Sequence, residues 1–84
     1  MPHVLIYSKE HCPFCIRAKN LLNNKGIVYT EIRIDEHPDM RNEMIEKSGR
    51  TTVPQIFIND HSIGGCDDLH ALEQTGQLDK LLKG

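Results

Sequence analysis

Val4-Leu5-Ile6-Tyr7 runs into the polar Ser8-Lys9-Glu10-His11, and Cys12-Pro13-Phe14-Cys15 then opens an amphipathic stretch that lasts to Lys25. The short apolar run, closed by polar residues, predicts a buried strand over His3–Tyr7. Pro13 falls near the first helical position, where its missing N–H costs little because that donor has no partner inside a helix. From Phe14 to Lys25, Ile16, Ala18, Leu21 and Leu22 alternate with Arg17, Lys19, Asn20 and Asn23, which gives a helix one buried face. Gly26 is a good C-terminal stop. The two cysteines therefore stand at a strand-to-helix turn. The first sulfur sits at a helix N-terminus, where loose N–H groups and the positive end of the dipole favour a thiolate. The thiolate is the nucleophile in disulfide exchange, so the segment points to thiol chemistry.

Working outward, Val28 to Ile34 alternates. Val28, Thr30, Ile32 and Ile34 are expected on one face and Tyr29, Glu31 and Arg33 on the other, as in a strand near a sheet edge. Asp35 or His37-Pro38 starts a second helix, roughly Asp39 to Ser48, with Met40, Met44 and Ile45 inward and Gly49 ending it. Gln55–Ile58 and His61–Ile63 are short strands around Asn59-Asp60, a two-residue hairpin signal. Gly64-Gly65 breaks the chain before a helix over Asp67–Thr75, with Leu69 and Leu72 inward. After Gly76, Leu78, Leu81 and Leu82 predict a last helical turn or two. The order is β-α-β-α-β-β-α, and its first β-α-β unit must cross over right-handed to give two parallel strands. The fold class expected is α/β: a small mixed four-stranded sheet flanked by helices.

Eighty-four residues make one domain, 1–84, at the small end of the size range. The formal charge is -2 with acids and bases interspersed, and no basic run suggests nucleic acid. No stretch approaches the roughly 18 apolar residues of a membrane span, and no signal peptide is readable. Three cysteines, two of them close together, argue against a secreted disulfide scaffold. A working dithiol in a reducing cytoplasm is the simpler expectation, in a monomer, since no surplus apolar stripe is evident.

A CxxC pair alone is ambiguous between a redox pair and half a zinc site. A structural zinc site needs four ligands, and the other candidates are Cys66, His3, His11, His37, His61 and His70, with no second CxxC or HxxxH. Cys12, at or near the N-cap, is the expected attacking thiol and the sulfur expected to be more exposed. Cys15, one turn in, is expected to be more shielded. Lys9 either adds a positive charge or is a solvated loop lysine, and His11 is a loop residue first and a modulator second. Thr51-Thr52-Val53-Pro54-Gln55 reads as a turn before a strand. A cis proline there would turn the Val53 backbone outward, able to pair with an extended peptide. Gly64-Gly65-Cys66-Asp67-Asp68 reads either as a glycine turn with an Asp cap or as an anion site at a helix N-terminus. Cys66 reads as a small buried hydrophobe, a spare thiol or a regulatory one, with a buried free cysteine as the default. Met40 and Met44 belong to the core, and Phe14 is free to stay exposed beside the reacting sulfur.

Taken together, Cys12-Pro13-Phe14-Cys15, Thr52-Val53-Pro54 and Gly64-Gly65-Cys66-Asp67-Asp68 resemble the glutaredoxin family in order and spacing, and the match covers essentially the whole chain. The run Gly49–Ile58 looks like a small bacterial dithiol glutaredoxin. The resemblance implies a thioredoxin fold, Pro54 in the cis form, and catalytic Cys12 and Cys15. It also implies a glutathione groove formed by Lys9, Phe14, Thr52, Val53, Pro54, Gly65, Cys66, Asp67 and Asp68. Phe14 stands where tyrosine is commonest in the family, and His11 where threonine is frequent.

The resemblance further implies glutathione as co-substrate with no metal, and disulfide-containing or glutathionylated proteins as partners. A thioredoxin-like donor served by a flavoprotein is the nearest alternative, and the absence of tryptophan argues against it. A subunit-bridging [2Fe–2S] carrier is another, which Pro13 disfavours by stiffening the loop. A zinc-stabilised binding module is the third.

Overall fold

The computed structural model describes residues 3–83. Its elements are β1 (Val4–Ser8), α1 (Pro13–Asn24), β2 (Thr30–Arg33), α2 (Pro38–Ser48), β3 (Gln55–Ile58), β4 (His61–Gly64), α3 (Cys66–Gln74) and α4 (Gln77–Leu82). The strands form one sheet in the order β2-β1-β3-β4. β1 lies parallel to β2, with Leu5 opposite Thr30, and antiparallel to β3, with Ile6 opposite Ile56. β4 folds back on β3 through Asn59 and Asp60, whose φ values of 51° and 69° suit a type I′ hairpin turn.

Alternation along the strands sorts the core onto two sides of the sheet. Val4, Ile6, Ile56 and Ile58 pack with Ala18 and Leu22 of α1, Cys66 and Leu69 of α3, and Leu78 of α4. Tyr7 and Phe57 face the other way, onto Met44 of α2 and Ile34, with Leu5, Ile32, Met40, Ile45 and Val53 around them. The Tyr7 and Phe57 rings meet edge-on, their centroids 5.6 Å apart. Each strand residue thus serves one side only, and a one-residue slip of register would expose both sets.

The second strand is shorter than the alternation predicts. It spans Thr30–Arg33, and Val28 is 82% exposed instead of facing the core. Thr30 is exposed as well, so only Ile32 and Ile34 of the expected face turn inward. The cause is the register. Pairing with β1 begins at Thr30, opposite Leu5, and the residues from Gly26 to Tyr29 take no part in the ladder. α2 starts at Pro38, β4 runs on to Gly64 and α3 starts at Cys66, each one residue from its expected bound. The leucines after Gly76 form a helix of their own, α4, anchored by buried Leu78. Lys25 at the end of α1 binds Glu73 of α3 (2.9 Å) and Asp79 of α4 (2.8 Å), which ties these three helices together on one side of the sheet. Among the described residues, no helix is long and apolar enough to cross a membrane.

Candidate active site

The turn between β1 and α1 carries Cys12 as the N-cap of α1, with extended backbone (φ -108°, ψ 105°). Its Sγ accepts the backbone N–H of Cys15 at 3.3 Å. A sulfur here takes the place that Ser, Thr or Asp usually fills, satisfying one of the donors that a helix start leaves open. Pro13 at the next position has no N–H to leave unpaired. Cys12 Sγ also lies 4.0 Å from the Val53 carbonyl oxygen.

The two sulfurs are less different in exposure than expected. Cys12 is itself buried, at 6%, while Cys15 is wholly enclosed. What separates them is complete enclosure of Cys15 together with the bonding of each sulfur. Burial, and then a hydrogen bond to Cys12, push the Cys15 thiol up to about 12. The Lys9 backbone and the Lys19 charge oppose that rise more weakly. Cys15 therefore stays a thiol at neutral pH. Both cysteines are free.

The loop before the motif is held from the side of β2. Asp35 accepts the Glu10 N–H at 3.2 Å, and Arg33 beside it holds the Asp35 carboxyl well below the usual carboxylate range. The Ser8 hydroxyl donates to Glu31, which Lys19 also binds at 2.9 Å. His11 has a positive φ of 58°, and its exposed ring lies 3.7 Å from the Glu10 carboxylate.

Two further segments close on Cys12. The first is the loop entering β3, where the Val53–Pro54 peptide bond is cis, the form that the resemblance implies. The second is the start of α3. Gly64 there has φ +111°, and a Cβ on it would run into the Asp68 carboxylate. A Cβ on Gly65 would stand 3.3 Å from the Pro54 carbonyl oxygen, so the glycines let the two segments approach. Asp68 accepts the Gly65 N–H and the Arg50 guanidinium, each at 2.9 Å. The Gly65 bond, then Arg50, hold its carboxyl below the ordinary range.

Between these segments lies a groove of about 200 Å³ lined by Phe14, Thr52, Val53, Pro54, Gly65, Cys66, Asp67 and Asp68, together with Arg50. Of the residues expected there, Lys9 alone is not in the lining; it is exposed in the loop before Cys12. Arg50 was missed as a groove residue. Its position just before Thr51-Thr52-Val53-Pro54 is the only signal that pointed to it. Phe14 is 52% exposed at the rim. Cys66 is a buried free thiol, raised by burial, with Arg17 opposing that rise. Its Sγ is 3.5 Å from His70 Nδ1. Among the described residues, no three His, Cys, Asp or Glu side chains gather as a metal-ligand set. A larger hollow of about 360 Å³, lined by His3, Val4, Ile27, Tyr29 and Leu82 among others, lies at the opposite end of β1 and contains no cysteine.

Two adjacent thiols, one bonded as an acceptor and one kept protonated, can cycle between dithiol and disulfide. On a sheet of this order, that chemistry places the chain among thiol–disulfide oxidoreductases of the thioredoxin fold. The family model described as glutaredoxin matches residues 4–63. Glutaredoxin 3 of Escherichia coli is 59% identical over 83 residues, covering 99% of this chain and all of that one. A glutaredoxin of Pseudomonas aeruginosa is 56% identical over 98% of each chain. The crystal structure of a buckwheat glutaredoxin–glutathione complex superposes with a TM-score of 0.89 at 29% identity, covering 98% of this chain and 77% of that one. The chain belongs to the glutaredoxin family and is a glutathione-dependent disulfide oxidoreductase.

Proposed function

We propose that Cys12 is the nucleophile and Cys15 the resolving thiol of a two-route reductase. The observation that carries this is the asymmetry of the pair: Cys12 Sγ accepts an N–H at 3.3 Å while the Cys15 thiol is pushed up to about 12. In the dithiol route, the Cys12 thiolate attacks one sulfur of a protein disulfide. A mixed disulfide forms and the other substrate sulfur leaves as a thiol. Cys15 then gives up its proton and attacks Cys12 Sγ, releasing the second substrate thiol and leaving Cys12–Cys15 oxidised. Two electrons have passed to the substrate; two molecules of glutathione then reduce the Cys12–Cys15 disulfide back to the dithiol and leave as glutathione disulfide. In the monothiol route, Cys12 takes the glutathionyl group from a glutathionylated protein and a second glutathione removes it. That route does not use Cys15.

The groove beside Cys12 is the proposed glutathione site. The Val53 backbone pairs with the glutathione cysteine in the manner of an added strand. The amides of Cys66 and Asp67 at the start of α3 receive the γ-glutamyl carboxylate. Asp67, which is exposed, or Asp68 receives the ammonium, although Asp68 is already bound to Arg50 and Gly65. Phe14, Thr52, Pro54 and Gly65 shape the walls, and Lys9 reaches for the glycine carboxylate from outside the lining.

Glutathione-dependent reduction of a small mixed disulfide, coupled to glutathione reductase and NADPH, tests the assignment. Activity is expected to vanish in Cys12→Ser and survive in Cys15→Ser, whereas reduction of a protein disulfide is expected to fail in both. Survival of activity in Cys12→Ser overturns the assignment.

A further inference from the structure

Gln55, the first residue of β3, is only 1% exposed. A buried primary amide is costly to keep unless its groups are used. Its Nε2 donates to the Thr52 carbonyl oxygen at 3.0 Å and lies 3.4 Å from Thr52 Oγ1. Its Oε1 has no partner among the described residues. A carbonyl accepts only, so the group facing it must be the NH2. The donor end of this amide is used and the acceptor end is not.

The segment it grips has few other ties. Among the described residues, positions 51–54 make none of the backbone–backbone hydrogen bonds of the loops and caps, and Pro54 has no N–H to offer. Thr51 and Thr52 are exposed. Yet this segment supplies Thr52, Val53 and Pro54 to the groove, with the Val53 carbonyl 4.0 Å from Cys12 Sγ. The N–H that Cys12 Sγ accepts comes from α1, and its contact with this segment is the Val53 carbonyl, which belongs to the peptide after the one that Gln55 binds.

We propose that Gln55 is a positioning residue. Its amide, bonded to the Thr52 carbonyl, fixes the Thr52–Val53 backbone as the edge on which glutathione docks beside Cys12, and so sets the affinity for glutathione and not the reactivity of the thiol. This rests on the glutathione reading of the groove. An extended peptide needs the Val53 N–H and C=O at one height and tilt. The Val53 N–H shares its peptide plane with the Thr52 carbonyl, so rocking of that plane tilts the N–H away from a docked peptide while the α1 N-terminus stays in place.

Gln55→Met and Gln55→Glu test it. Gln55→Met has a similar length and removes the donor together with the unused acceptor. The bond to the Thr52 carbonyl is only part-buried and Thr52 is an exposed residue, so folding is expected to be kept. Gln55→Glu keeps the shape and sets a carboxylate against a carbonyl. Two quantities are measured: KM and kcat for glutathione in the mixed-disulfide assay, and the rate of Cys12 alkylation by iodoacetamide in a Cys15→Ser background, which needs no groove. The expected result is a KM raised about fivefold or more in Gln55→Met and further in Gln55→Glu, with the alkylation rate unchanged. An unchanged KM in both overturns the proposal. So does a fall in alkylation that matches the loss of activity, which assigns Gln55 a structural role only. Should neither variant fold, the side-chain NH2 signals of Gln55 are followed by NMR in the intact protein as glutathione is added. Displaced signals support the proposal and stationary ones overturn it. Absence of any glutathione-dependent turnover in the unmodified protein is a separate result, which removes the reading of the groove first.

Discussion

Cys15 carries a cost that becomes visible with pH. Its thiol is pushed up to about 12 from an ordinary 9.0, chiefly because burial disfavours the thiolate. Above pH 9 an unfolded chain loses this proton while the folded one keeps it. The folded state then binds more protons, and stability must fall as pH rises. The contribution is fully present below pH 9 and is lost between about 9 and 12. The reduced protein is therefore expected to lose unfolding free energy over that window, with a shallower decline in Cys15→Ala. Urea denaturation at several alkaline pH values, with reductant present, checks this. Equal slopes in the two proteins would show that the Cys15 thiol is not held protonated by the fold. The Cys-Pro-Phe-Cys spacing made legible that the first sulfur stands at a helix start and the second lies one turn in. It did not reveal that Cys12 is buried as well as Cys15, because Val53, in the loop entering β3 that closes on Cys12, is 41 positions downstream.

At the scale of elements, the start of α3 joins the sheet to the groove. Asp68 caps it by accepting the Gly65 N–H, and Arg50 binds the same oxygen from the end of α2. Asp68→Ala removes the N3 carboxylate that accepts the N–H of the N-cap Gly65 and is expected to cost about 1 kcal/mol or more, the range for a hydrogen bond to a charged group, measured as a shift in denaturation midpoint at unchanged slope. The Asp68 carboxyl is held below its ordinary 3.8, so its contribution is present above that pH and is lost as pH falls through the lowered folded value. An acid limb equally steep in Asp68→Ala would remove the carboxylate from the account. Gly64→Ala acts on the same feature from the other side. With φ at +111° and a Cβ directed into the Asp68 carboxylate, it is expected to cost about 1–3 kcal/mol and to weaken glutathione binding as the cap is displaced. A stability within experimental error of the unmodified protein would contradict the close approach. The paired glycines and following aspartates advertised a turn and a cap. Which aspartate caps was open in the sequence, since it depends on Arg50, eighteen positions earlier, reaching Asp68. The short β2 was equally hidden. Alternation from Val28 to Ile34 is a local pattern, whereas pairing begins only where β1 supplies a partner.

Over the whole molecule, Cys12 lies where three segments far apart in sequence meet: the start of α1, the loop entering β3 and the start of α3. The sequence offered all three as motifs in order, because each has local turn chemistry, and strand alternation was enough to place helices on both faces. Absent from it were the contacts that set their spacing, such as Gln55 to Thr52 and Arg50 to Asp68, which are side-chain choices made after the chain folds. The groove should accordingly respond to where the core is loosened and not only to how much. Leu69 and Leu78 are both fully buried in the same cluster, on α3 and α4. Truncation of either to alanine is expected to cost about 2–5 kcal/mol, a large part of the 5–15 kcal/mol typical of a small domain. Leu69 directly follows Asp68, so a cavity beneath it frees the α3 amides that line the groove. Leu78 sits on α4, which contributes no lining residue. In the fraction that stays folded, Leu69→Ala is therefore expected to raise the glutathione KM several-fold while Leu78→Ala leaves it unchanged. Denaturation curves fix the stability loss, and steady-state kinetics at a temperature where both variants are folded fix the KM. A KM shift of equal size in the two would mean that the groove senses global stability alone, and that the placement of α3 by the core does not tune it.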